Sequence, residues 1–65
     1  MSIGKRVAKL RKECGMTQSE LARAVNVVPS MIAQVERDTK ALTINLGLEI
    51  ADVLKCSLMD IAKGE

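Results

Sequence analysis

Residues 17–37 read TQSELARAVNVVPSMIAQVER, and this stretch decides the fold. Thr17 is a natural N-cap, and Glu20 three residues on completes a capping box. Met16, just before the cap, can pack on Leu21 as a hydrophobic staple. Leu21, Ala22 and Val25 then keep helical spacing on one face. Asn26 stops the helix, because asparagine tolerates the left-handed conformation that a helix end needs. Pro29 starts a second helix, since its missing N–H is not needed in the first turn. Ile32 and Val35 carry the apolar face onward. Ala22 stands where the two helices approach most closely, and a larger side chain there would push them apart.

Two short helices joined by a tight turn form a helix-turn-helix. In the second helix Ser30, Ala33, Gln34 and Arg37 fall on the outer face. Short polar residues followed by a basic end suit entry into a DNA major groove. The alternative is a helical hairpin in some other small bundle, with Ser30 and Gln34 merely solvated.

The chain has 65 residues, room for one domain that buries about 60% of its unfolded surface. Such a domain is marginally stable, and a partner subunit would help. Apolar residues make up 48% of the chain and aromatic ones 0%, so the expected core is built from Leu, Ile, Val, Met and Ala. No apolar run approaches the roughly 20 residues of a membrane span, and the start, MSIGKRVAKL, is too short and too charged for a signal peptide. These features lead us to expect a cytoplasmic protein with no membrane partner. Up to Lys40 there are eight cationic and four acidic side chains, a net +4, and from Ala41 onward the net is −2. A basic half carrying the helix-turn-helix fits a DNA binder, although so few charges also fit chance. Cys14 and Cys56 lack metal-ligand spacing and the chain has no His, so no metal or other cofactor is expected. Both cysteines are expected to be buried thiols; a disulfide would require the fold to bring them together.

Upstream, Ile3, Val7, Leu10 and Cys14 form the apolar stripe of a first helix that Gly15 ends. Arg11 borders the stripe; turned inward it needs a buried acid, with Glu36 as the expected partner. Downstream, Asp38 to Leu42 is a loop in which Lys40 can reach a phosphate. Thr43 caps a fourth helix with Ile44, Leu46, Ile50, Val53 and Leu54 on its core side. Gly47 in its middle costs roughly 1 kcal/mol relative to alanine; a close helix contact would explain it, and so would drift. Ser57 and Asp60 cap a last helix, which Gly64 ends. Leu58, Met59, Ile61 and Ala62 make it apolar nearly all round. That suggests a dimer interface, the alternative being that all four pack inward. The expected architecture is all-α: one domain over residues 1–65, a compact bundle of five helices, with helices two and three forming the helix-turn-helix.

The runs GMTQSELA, VNVVPSMIAQVER and LTINLGLEIADVLKCSLMDI resemble the Xre or Cro/repressor-type helix-turn-helix family. Arg11, Gln18, Leu21, Ala22, Val25, Ile32, Glu36, Ile50, Ala51 and Leu54 stand at the expected spacing. The resemblance covers Ile3 to about Ile61, and the loop RDTKALTI is similar to that of restriction–modification controller proteins. It implies a lambda-repressor-like bundle that binds a double-stranded operator as a homodimer and regulates transcription, for instance as a repressor. It further implies a phosphate contact for Gln18, base reading by Pro29, Ser30 and Gln34 with Ala33 beside them, and backbone contacts for Arg37 and Lys40. Arg11 and Glu36 match a structural ion pair, and the C-terminal helix, about 57–63, the usual dimer surface. Val28 departs from the Ser or Thr that caps the recognition helix in this family. Pro29 has no side-chain donor, so a contact there is lost or becomes apolar, for example with a thymine methyl. Asn26 and Lys55 replace common turn glycines.

A sequence-specific regulator is therefore the leading expectation. A protein-interaction module is the second, such as an antitoxin with a protein partner and secondary DNA binding. No enzyme is expected, because the chain has no His, no glycine-rich phosphate loop and no paired carboxylates in a pocket.

Overall fold

A computed structural model of the chain describes residues 2–62. Five helices and no strand occur among them: α1 (Ile3–Glu13), α2 (Gln18–Ala24), α3 (Pro29–Glu36), α4 (Ile44–Val53) and α5 (Leu58–Ala62). Each starts where a local signal starts it. Ser2 caps α1 by accepting the Lys5 N–H at 3.1 Å. Thr17 accepts the Glu20 N–H at 3.0 Å while the Glu20 carboxylate takes the Thr17 N–H at 2.8 Å, so the capping box is complete. Thr43 caps α4 through the Leu46 N–H at 3.1 Å. Ser57 and Asp60 form the second capping box, at 3.2 and 3.0 Å. Only Val28, before α3, makes no side-chain cap, and Pro29 takes the first helical position as expected.

The first four helices end alike. Gly15, Asn26, Asp38 and Lys55 have φ of 69°, 63°, 62° and 56°. At each, the following N–H reaches back to the carbonyl five residues earlier, the 6→1 bond of the Schellman motif: Met16 to Arg11, Val27 to Ala22, Thr39 to Gln34 and Cys56 to Ala51, at 2.9 to 3.1 Å. Asn26 and Gly15 were legible as stops; Gly15 sits one residue beyond the cap, which is Cys14. Asp38 was not foreseen. Its carboxylate accepts the Gly4 N–H at 3.1 Å, which ties the start of α1 to the end of α3. Any side chain at Gly4 would collide with the carbonyls of Val35 and Glu36.

The core is aliphatic, with Val7, Leu21, Ala22, Ile32, Ile50 and Ile61 at 1% exposure or less. Met16 packs against it from the predicted staple position. Gly47 has the close helix contact: a Cβ there would lie 3.0 Å from Leu58 Cδ1. Arg6 Nε donates to the Asp60 carbonyl at 2.8 Å and joins α1 to α5.

Several expectations fail, each for a positional reason. Ile44 is 72% exposed, not in the core, because the buried positions of α4 run through Leu46, Gly47, Ile50 and Ala51 and leave the first residue on the outer flank. Ile61 is buried at 1% and belongs to the core, so it cannot form part of a dimer surface. Leu58 is half-buried against α4, while Met59 and Ala62 are exposed. Cys14 is exposed, because it falls where the chain turns away at the end of α1, and its thiol donates to the Leu54 carbonyl at 3.6 Å. Cys56 is half-buried, and burial, then the Asp60 charge, pushes its thiol above its ordinary pKa. Both are free thiols. The expected stop at Gly64 lies outside the described residues. None of the described helices is long and apolar enough to cross a membrane.

Candidate nucleic-acid interface

The site rests on one buried ion pair. Arg11 Nε and Nη2 donate to Glu36 Oε2 and Oε1 at 2.7 and 3.1 Å, a two-point pairing. Both residues are 8% exposed. The remaining reach of Arg11 goes to the Met16 carbonyl, at 2.7 Å from Nη1. The predicted ion pair is therefore present, and it satisfies the guanidinium on three sides, as a buried cation requires. Gln18 adds what the sequence did not show: its amide donates to Glu36 Oε1 at 2.9 Å. One carboxylate thus joins α1, the first residue of α2 and the last residue of α3. The entry to α2 and the axis of α3 are fixed relative to each other.

On that frame α3 turns Ile32 and Val35 inward. Pro29 and Ser30 at its start are exposed, and Ala33 and Gln34 are half-buried one turn later. Arg37 and Lys40 are exposed on the loop that follows, where Thr39 Oγ1 donates to the Gln34 carbonyl at 3.1 Å. Pro29, Ser30, Ala33 and Gln34 thus share one short helix, with Arg37 and Lys40 just beyond its end. Gln18 stands apart from them, at the start of α2 and half-buried against Glu36. One of its two amide N–H donors is committed inside the protein; the other N–H is the donor left for an acceptor such as a phosphate oxygen.

The hollow beside the start of α3 was not foreseen. Ser19 and Arg23, four residues apart on α2, line it with Val27, Val28 and Pro29. The i, i+4 spacing of Ser19 and Arg23 was the available signal. Lys5, Lys9 and Lys12 line a second open groove on α1, next to Glu36.

Comparison with known proteins matches this arrangement. The P22 c2 repressor, solved with a synthetic operator, superposes with a TM-score of 0.91 at 28% identity, over 100% of this chain and 98% of that one. SinR, described as the master regulator for biofilm formation and solved with DNA, gives a TM-score of 0.85 at 32% identity, over 91% of this chain and 95% of that one. Among curated proteins, the HTH-type transcriptional regulator RamB of Mycobacterium tuberculosis is 39% identical over 51 residues. That match takes in 78% of this chain but only 11% of RamB. The helix-turn-helix family model matches residues 7–61, which runs from α1 into α5. On this match, the chain belongs to the Xre-like helix-turn-helix family.

Proposed function

We propose that this chain is a DNA-binding transcriptional regulator that works as a homodimer and reads a palindromic operator in the major groove through α3. The observation that carries the reading is the shared carboxylate of Glu36. It locks the helix that carries Pro29, Ser30, Ala33 and Gln34 on its outer side to the start of α2. Base reading needs such a frame, because hydrogen bonds to base edges tolerate little misplacement.

In this reading α3 enters the groove by its N-terminal end. Ser30 and Gln34 supply hydrogen-bonding groups to base edges, and Gln34 is suited to adenine. Ala33 lets the helix approach closely. Gln18, Arg37 and Lys40 meet phosphates and set the register. The protomer measures 25 × 24 × 21 Å. Two copies side by side can therefore hold their α3 helices one turn of DNA apart, roughly 34 Å. The dimer surface is centred on Met59, with Ile44 and Leu48, which are 68%, 72% and 50% exposed. These lie on α4 and α5, the helices that Gly47 and Leu58 bring together. The setting is the cytoplasm, where operator DNA is found.

The same exposed apolar residues favour a second reading, a protein-interaction module that recruits a different chain. Gln34→Ala separates the two. Measured by fluorescence anisotropy on labelled duplexes, it should relax preference at one base pair per half-site and leave binding to random DNA nearly unchanged. Equal losses on operator and random duplexes would remove α3 from base reading.

A further inference from the structure

Val28 is 64% exposed at the entrance to α3. Its backbone, at φ −75° and ψ 149°, is that of an N-cap. The two threonines that cap α2 and α4 have nearly the same angles and use their hydroxyls. Val28 stands in a cap position without capping, and it contributes little to the core. The other large exposed apolar residues, Ile3, Ile44, Leu48 and Met59, lie on α1, α4 and α5. Next comes Pro29, also exposed, with a rigid ring and no N–H. The leading tip of α3 is thus a continuous apolar edge, and Ser30 follows as the first side chain with a hydrogen-bonding group.

The major groove offers such an edge one apolar group that projects from the bases, the C5 methyl of thymine, set among donors and acceptors. An apolar tip set against those polar groups would leave them unpaired. Arg23 lines the same hollow as Val28 and Pro29, and supplies a cation on the flank where a phosphate would pass. We propose that Val28 and Pro29 form a 5-methylpyrimidine-reading tip, with Val28 the residue that sets preference for thymine at one position in each half-site. This inference rests on the regulator reading above.

The test uses the intact chain and the best duplex selected from a random pool, remade with each thymine replaced in turn by deoxyuridine. That exchange removes the methyl and nothing else from the groove. One buried methyl corresponds to about a fourfold loss of affinity. We expect a loss of that size at one thymine position per half-site, and about fifteenfold when both half-sites are changed. In Val28→Ser the thymine and uracil duplexes should bind alike, with circular dichroism confirming the native helix content. Equal binding of both duplexes by the unaltered protein would overturn the inference and leave the regulator reading standing. So would a thymine preference that survives in Val28→Ser. Failure to bind any duplex above background would overturn both.

Discussion

Replacing Val28 by threonine should strengthen the fold and narrow the preference for thymine. Valine and threonine have nearly the same shape, so the exchange swaps one methyl for one hydroxyl. The backbone is ready for it: residue 28 lies at φ −75° and ψ 149°, against −83° and 166° at Thr17 and −74° and 158° at Thr43. Those threonines accept the Glu20 and Leu46 N–H groups at 3.0 and 3.1 Å. At residue 28 the same geometry aims the hydroxyl at the Met31 N–H, the third of the helix, which now bonds the Val28 carbonyl at 3.0 Å and would be shared, as Ser57 shares the Asp60 N–H between its carbonyl and its hydroxyl. An N-cap of this kind contributes about 1 kcal/mol. Little apolar burial is given up, because Val28 is already 64% exposed. In a domain this small, 1 kcal/mol raises Tm by roughly 4–8 °C. The chain has no aromatic side chain, so far-UV circular dichroism follows the melt. A Tm that stays level or falls would refute the reasoning, since it would mean that the isopropyl group holds α3 in place or that the Met31 N–H is out of reach.

Arg11→Met should come close to unfolding the chain, because stranding the Glu36 carboxylate costs about 3–5 kcal/mol against a total stability of roughly 3–10 kcal/mol for a domain of this length. Adding Glu36→Leu should restore much of that loss in urea titrations; a double variant no more stable than the single one would contradict the buried-charge argument. Lys40→Ala should weaken binding to all duplexes and lower the slope of log affinity against log salt by about one. An unaltered slope would take Lys40 out of the phosphate contacts. Met59→Glu should shift sedimentation from dimer to monomer without lowering Tm by more than a few degrees, and a dimer that persists would move the interface away from α5.

How much of this was legible in the sequence follows from the range over which each feature is set. Helix starts and stops are local, and Thr17, Glu20, Asn26, Pro29, Thr43 and Ser57 all act where their types and spacing place them. The Arg11–Glu36 pair spans 25 residues and was still readable, because a cation beside an apolar stripe demands an acid. The faces of the short helices were harder. Four apolar residues on α5 cannot say which ones the core takes; that depends on how α5 docks against α1 and α4, and the core took Ile61. Ile44 failed for a related reason, since an apolar residue in the first turn has no preceding turn to fix its side. Gly4 and Asp38 carried no local signal, because their meeting depends on the end of α3 arriving over the start of α1. On α3 and at its C-cap, periodicity alone put Ser30 and Arg37 on the exposed side, whereas Ala33 and Gln34 are half-buried. The bond from Gln18 to Glu36 was not legible, because its partner is brought to it by the fold.

The proposed function requires that α3 read base edges. Selection of bound duplexes from a random pool by the purified chain tests that most directly. We expect enrichment of an inverted repeat whose half-site centres lie about one helical turn apart. Salt-sensitive binding to every duplex with no sequence enriched, or no binding at all, would contradict the proposed function.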